Sequence, residues 1–402
     1  MKPAKRHLAK RHVLVLLGFN EHDFLRGILA YAREASWTLD MNYNRIGIAP
    51  DAEARFDGIL TVVGKRQEMQ ILRAYRGVPC VDLSGAWLFD LKDPAARLVG
   101  RVNYDSAALG RMAAEHLLDR GFKNLAFLNT CNGWHERPSL RACTEVSAQA
   151  NAHFIEIPLY RELGLKPPYS ITKRSPQAMR WLGKTLAGLP KPCGIVVVDD
   201  WAPNLLRVCE QADITVPEEL AIIGLYNHRD ACEYASIPIS AVDADFERIA
   251  YQGSRLLDRL MRGSRTPERP VLVPPKGVVV RQSTDVLAVE HSEVAVALRF
   301  IWDRFREAIQ AVDAVAVTNM SYRGLSLAFQ KHLGRTIGAE IARKRVEEAQ
   351  RLLQDTDSKA SRIAKLSRFS GLEHLSRAFK RITGQPPSVY RRAQRSRRET
   401  TD

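Results

Sequence analysis

Two short stretches near the C-terminus set cationic and amide side chains at helical spacing. In 322–331 the residues away from the apolar positions are Tyr322, Arg323, Ser326, Gln330 and Lys331; in 372–381 they are His374, Ser376, Arg377, Lys380 and Arg381. Arg and Lys suit guanine edges and phosphate oxygens and Gln suits adenine, so both faces have residue types that read duplex DNA from the major groove. One such face looks like any solvated helix. Here there are two on one frame, because LSLAFQKHLG (325–334) and LSRAFKRITG (375–384) agree at Leu, Ser, Ala, Phe and the closing Gly, fifty residues apart. A second chemistry is suggested by the adjacent acids Asp199 and Asp200, which resemble a general acid/base pair. Neighbours on a strand point to opposite faces, and no phosphate loop, dinucleotide turn or nucleophile elbow accompanies them. Catalysis is therefore not expected. The six cysteines, Cys80, Cys131, Cys143, Cys193, Cys209 and Cys232, form no C-x-x-C pair, and no histidines cluster at metal-ligand spacing. Reduced, mostly buried thiols in a cytosolic protein are expected, with no metal and no cofactor.

The charge distribution singles out the same end of the chain. Residues 291–402 hold 22 Lys and Arg against 12 Asp and Glu, so +10 of the formal net charge of +15 lies there. An anionic partner is expected for that segment. A length of 402 residues predicts two or three domains. The basic tail 1–10 followed by the apolar run 13–17 imitates a secretory leader. The run meets Glu21, His22 and Asp23 almost at once and no small-residue cleavage site follows, so it reads as a first buried strand. No stretch approaches the ~18 apolar residues of a membrane helix, and no membrane partner is expected.

Elements that position these residues follow from periodicity. VLVLLGF (13–19), RFDGILTVV (55–63), GVPCVDLS (77–84), NLAFLNT (124–130), GIVVVDD (194–200), ELAIIGL (219–225) and ISAVDAD (239–245) are Val/Ile/Leu-rich strands. They alternate with helical patterns at 24–34, 105–122, 202–212 and 246–262, which predicts parallel sheets covered on both faces. Nearly 270 residues of this pattern exceed one sheet, so two α/β lobes are expected. After PVLVPPKGVVVRQSTD (270–285) only helical periodicity remains. Short helical runs at 311–318 and 359–367, each followed by a tight turn and one copy of the repeat, predict two helix-turn-helix units joined by a helix at 340–354. Ser370 with Glu373 is a capping-box pattern for the last reading helix, and Gly384 can end it.

Residues 292–395 resemble the DNA-binding domain of the AraC-type family through AKLSRFSGLEHLSRAFKRITGQPPSVYRR (364–392). Ser367-Arg368 stand where that family usually has a small residue and Gly. Residues 11–284 resemble the ligand-binding part of the lactose-repressor family, built like periplasmic sugar-binding proteins. NYDSAALGRMAAEHLLDRGFKNLAFLNT (103–130), KPCGIVVVDDWAPNLLRVCEQADITVPEELAIIGLYN (191–227) and ISAVDADFERIAYQGSRLLDRLMRG (239–263) carry the resemblance. That family normally has its helix-turn-helix before this module, and ten residues leave no room for one.

Together these resemblances imply an α/β, two-lobed, periplasmic-binding-protein-like domain at 11–285, followed by a connector at 286–297, an all-α domain with two helix-turn-helix units at 298–395 and a tail at 396–402. The lobes would be 11–118 with 243–268 and 119–240 with 270–284, hinged by three crossovers. They imply a small sugar effector, xylose or another monosaccharide, held in a cleft beyond the C-terminal ends of the strands. Residues following those ends are Phe19, Asn20, His22 and Asp23; Trp134 and Arg141; Asp199, Asp200 and Trp201; and Tyr226, Asn227 and His228. Sugar hydroxyls need planar donors and acceptors, and the ring needs an apolar or aromatic wall. Arg141 and Asp199 match sugar-contacting positions of the resembled family, whereas Tyr226 stands where it usually has Asp. The same resemblance implies a cytoplasmic homodimer that binds operator DNA and activates carbohydrate genes through RNA polymerase. An exported binding protein with the same lobes would leave 292–395 unexplained.

Overall fold

The computed structural model describes residues 10–18, 21–51, 53–62, 66–84, 99–130, 136–162, 164, 175–285, 291–356 and 358–392. The apolar runs form strands, and the amphipathic segments between them cover the sheets. The first lobe is built from β1 (His12–Leu17), α1 (Glu21–Glu34), β2 (Thr38–Asp40), α2 (Asn42–Ile46), β3 (Gly58–Val62), α3 (Arg66–Ala74), β4 (Cys80–Asp82) and β5 (Val99–Tyr104). The chain then crosses to the second lobe: α4 (Ser106–Asp119), β6 (Asn124–Leu128), α5 (Glu136–Gln149), β7 (His153–Ile157), α6 (Leu159–Glu162), α7 (Pro176–Ala187), β8 (Cys193–Val198), α8 (Ala202–Gln211), β9 (Leu220–Tyr226), α9 (Arg229–Glu233) and β10 (Ser240–Asp243). It returns for α10 (Phe246–Met261) and β11 (Val271–Val273), and crosses a third time to β12 (Gly277–Val279).

Two six-stranded sheets result, in the orders β11-β5-β4-β3-β1-β2 and β12-β10-β9-β8-β6-β7, parallel throughout except for β12 against β10. Strand interiors such as Val13–Leu17 and Ile195–Val198 are buried on both faces, as helix-covered parallel sheets require. Lobe membership differs from the sequence expectation in two places. Helix α4, expected in the first lobe, packs on α5 and β9 of the second; β11, expected in the second, pairs with β5 of the first. Backbone pairing places β11 and side-chain packing places α4, and local periodicity encodes neither.

The C-terminal part is all helical: α11 (Ser292–Arg304), α12 (Ala311–Ala316), α13 (Tyr322–Leu333), α14 (Ile337–Asp355), α15 (Ala360–Leu366) and α16 (Leu372–Thr383). Leu325, Ala328 and Phe329 of α13 close one small core with Val294, Leu298 and Ile301 of α11 and Ile337 of α14. Leu375, Ala378 and Phe379 of α16 close a second with Ile363 of α15 and Val346, Ala349 and Leu353 of α14. Helix α14 thus gives its first half to one unit and its second half to the other. Helices α13 and α16 both end on glycines in the left-handed region, Gly334 at φ +65° and Gly384 at φ +78°, where a Cβ would be strained.

Two local expectations are corrected. Helix α11 begins inside the segment expected as a connector, since its apolar stripe is needed for the first unit's core. The capping box does not form: Gly371 is the N-cap and makes no side-chain cap bond, while the Ser370 hydroxyl meets the His374 ring. Ser370 lies one residue too early to reach the first-turn amides. The turn between α15 and α16 closes without the family's Gly, because Arg368 itself takes φ +60° and Phe369 N–H donates to the Ala364 carbonyl at 2.8 Å. The Arg368 guanidinium donates to the Arg306 carbonyl at 2.6 Å.

Candidate functional site

The crossovers leave from the C-terminal ends of β5, β10 and β11, so those ends converge between the lobes. An aromatic cluster occupies this junction. Tyr104 from the first sheet packs on Tyr226 from the second at 4.7 Å between ring centroids, and His228 stacks on Phe246 at 5.4 Å. Phe246, at the start of α10, also meets Phe24 of α1 at 4.9 Å. Tyr226 has φ +96° and Asn227 φ +61°, and such backbone at non-glycine residues marks a place where surrounding contacts override local preference. Asn227 ties the crossover together: its amide donates to Asp243 at 3.3 Å and its carbonyl accepts from Arg281 at 2.9 Å.

Asp199 and Asp200 lie on a one-turn 3₁₀ helix after β8, not on the strand. They do not diverge as strand alternation predicts; both reach His228. Asp199 is fully buried and accepts the His228 backbone N–H at 2.6 Å, while Asp200 pairs with the imidazole Nδ1 at 3.1 Å. Gly224 makes room for this arrangement, since a Cβ there would lie 2.0 Å from Asp199 Oδ1. Burial raises the Asp199 carboxyl to about 7, against the lowering effect of His228. His228 is itself raised above its ordinary range: burial opposes its charge, but Asp200 outweighs it.

The expected ligand residues separate into groups. Tyr226, Asn227 and His228 stand at the interlobe junction, and Asp23 at the start of α1 pairs with Arg26 and adds to the negative field on Arg229 of the second lobe. Asp199 is inaccessible; Asp200, with a side chain 53% exposed, presents the carboxylate instead. Trp201 is buried in the second lobe's core and forms no wall. Arg141 runs along the surface of α5, 81% exposed and paired with Glu145 at 2.8 Å. Phe19, Asn20 and Trp134 lie outside the described residues. Sequence reading missed Tyr104, Phe246 and Asp243, although each sits at or just beyond a strand end. Applying the same strand-end rule to β5 and β10 would have found them.

On the helical domain, Tyr322, Arg323, Gln330 and Lys331 of α13 and His374, Arg377, Lys380 and Arg381 of α16 are exposed, and Ser326 and Ser376 are half-buried. Among the described residues no carboxylate lies within ion-pair distance of Arg323, Lys331, Arg377, Lys380 or Arg381, whereas Arg306, Arg335, Arg343 and Arg351 of the same domain are all paired. Both helices therefore present cations without a carboxylate partner, a chemistry suited to a polyanion.

The two parts touch through α4. Arg343 of α14 pairs with Asp119 at 2.5 Å and with Glu340 at 2.8 Å, and the Arg120 guanidinium lies 4.9 Å from the ring centre of Trp302. Glu340 is fully buried, which raises its pKa, but hydrogen bonding and charge from Arg343 hold it at about 2. Burial and then Arg120 keep His116 neutral, well below its ordinary range. Arg120 has only donors, so His116 accepts it on Nδ1 at 3.0 Å and donates from Nε2 to Thr284 at 2.9 Å.

Comparison with known proteins agrees with this division. Residues 114–284 match the family model of a periplasmic binding protein-like domain, and residues 314–393 match that of a helix-turn-helix domain. The xylose operon regulatory protein of Escherichia coli strain K12 is 28% identical over 397 residues, covering 95% of this chain and 97% of its own length. Its counterpart in Haemophilus influenzae is 28% identical over 295 residues, covering 71% and 73%. The solved structure of a xylose-binding transcription activator superposes with a TM-score of 0.55 at 24% identity, covering 96% of this chain and 99% of that one. These relatives are regulators of transcription, not enzymes. The chain joins a two-lobed α/β domain to a C-terminal helix-turn-helix domain, as expected from its sequence. No helix among the described residues is long and apolar enough to cross a membrane.

Proposed function

We propose that this chain is a sugar-responsive regulator of transcription, in which two α/β lobes close on a small carbohydrate and a C-terminal pair of helix-turn-helix units binds operator DNA. The observation that carries this reading is the duplicated pair of reading helices with unpaired outward cations, docked on lobes whose strand ends converge at an aromatic, hydrogen-bonding junction. The likeness to xylose operon regulatory proteins over nearly the whole chain supports a pentose, xylose first among them, as effector. Tyr226, Asn227, His228, Asp200 and Asp23 are the described residues best placed to meet it. In this proposal the working form is a cytoplasmic homodimer that contacts RNA polymerase, and its effect is activation by analogy with the xylose-binding transcription activator it resembles in fold.

A thermal-shift screen of the full chain against pentoses, hexoses and their phosphates tests the sensor, because a ligand bound only by the folded state raises its stability. Duplex binding across a salt series tests the reader: log affinity falls linearly with log salt, with a slope set by the number of phosphates neutralised. No shift with any sugar, together with flat or absent duplex binding, would refute the proposal.

A further inference from the structure

The fifty-residue repeat allows the two reading helices to be compared position by position. Leu325, Ala328, Phe329 and Gly334 of α13 and Leu375, Ala378, Phe379 and Gly384 of α16 hold the same buried and capping places, so equal offsets put side chains at equal points on equal frames. Ser326 and Ser376 are half-buried in both. The outward chemistry, however, is exchanged. Arg323 corresponds to Glu373, Gln330 to Lys380, and Leu327 to Arg377.

Leu327 is 63% exposed at the centre of the outward face of α13, with Arg323 and Gln330 before and after it and Lys331 one turn on. A lone exposed leucine is ordinary. This one sits between free hydrogen-bonding groups, at the register position where the sister helix carries an unpaired arginine. In the major groove an arginine at such a position pairs with guanine O6 and N7, whereas an aliphatic side chain there is complementary to the C5 methyl of thymine.

We propose that positions 327 and 377 are a matched pair of specificity determinants: Leu327 selects a thymine methyl in the base step read by the first unit, and Arg377 selects guanine in the step read by the second. The operator half-site is then asymmetric. Its first-unit segment contains A·T pairs, with Gln330 suited to adenine, and its second-unit segment contains G·C pairs. The inference rests on the DNA-binding reading above and adds the identity of the bases.

The test selects bound sequences from a random duplex library with the full chain, with and without sugar. The thymines of the selected site are then replaced singly by uracil, which pairs identically and lacks only the methyl. At one thymine the wild type loses about three- to fivefold in affinity, the scale of one buried methyl, while Leu327→Ala binds the thymine and uracil sites equally. Arg377→Ala loses about 5- to 150-fold at its guanine and discriminates less there. Leu327→Arg shifts the selected base at the first-unit position toward guanine. Both side chains are exposed, so unchanged melting temperatures verify folding. Wild-type affinity indifferent to every thymine methyl, or a methyl effect that persists in Leu327→Ala, would overturn the assignment while DNA binding stands. Failure to enrich any duplex under either condition, with no salt-dependent binding, would overturn the DNA-binding reading and this assignment with it.

Discussion

Asp199 carries an acid into a place solvent does not reach, and its consequence is a stability that depends on pH. Its folded pKa of about 7 lies above the ordinary 3.8, so its contribution is complete below 3.8 and is lost as the pH rises through 7. His228, also raised, acts with the same sign around neutrality. Wild-type stability relative to Asp199→Asn, which keeps an acceptor for the His228 N–H, is therefore greatest at the acid end and falls until about pH 7. Urea midpoints of both proteins at pH 5, 6, 7 and 8 measure it, and parallel curves would show that the buried acid does not titrate there. Tyr226 is the other telling residue, since its ring joins the two lobes at the junction. Tyr226→Asp exchanges an apolar wall for a hydroxyl acceptor and should change the affinity ratio between two sugars by about tenfold or more. Calorimetric titration of the wild type and variant with the same sugar panel checks this; an unchanged ranking would place the sugar elsewhere.

The reading elements are small, and their cores have little redundancy. Phe379 is fully buried among few partners of α14, α15 and α16, so Phe379→Ala should cost about 3–5 kcal/mol. That exceeds what so small a unit can spare, and the second unit should unfold. Duplex binding should be lost while the sugar-induced thermal shift persists, because the lobes have cores of their own. Amide exchange and the sugar screen on one sample would separate these effects. At the turn between α15 and α16, Arg368 holds a left-handed backbone that glycine adopts freely. Arg368→Ala and Arg368→Gly both lose the bond to the Arg306 carbonyl, but only Gly relieves the backbone. The Gly variant should be more stable than the Ala variant by about 0.5–1 kcal/mol in thermal melts.

In the whole molecule, the contact between the lobes and the reader lies on α4, the helix that immediately follows the first crossover. Movement of the second lobe therefore carries α4, and through Asp119–Arg343 and Arg120–Trp302 it reaches α14, which is shared by both helix-turn-helix units. A sugar that closes the lobes should change operator affinity by several-fold to about a hundredfold, and operator should change sugar affinity by the same factor. Asp119→Ala should reduce that factor toward one with both binding activities retained. A Gly/Ser segment inserted after Glu290 tests the covalent path separately. If the junction carries the coupling, the insertion should leave more of it than Asp119→Ala does. Sugar titrations with and without operator on the three proteins decide between the paths.

The alternation of apolar strands with helical patterns, the fifty-residue repeat and the basic C-terminal end were readable along the chain because each is a local property: side-chain periodicity, a recurring frame or a sum of charges. They were enough to reach two α/β lobes, two helix-turn-helix units and the outward faces of α13 and α16 as faces turned from the core. Pairing across the molecule decided the rest. β11 went to the first sheet and α4 to the second lobe because that is where their partners lie, and α11 left the connector for the first unit's core. The cleft residues were the least legible. Asp199 and Trp201 follow a strand end as a ligand-binding residue would, but one is buried against the His228 backbone amide in the loop after β9 and the other in the core beside it. Tyr104, Phe246 and Asp243 carry no motif and acquire their place only when three crossovers bring separate strand ends together, since burial and approach are set by neighbours distant in the chain.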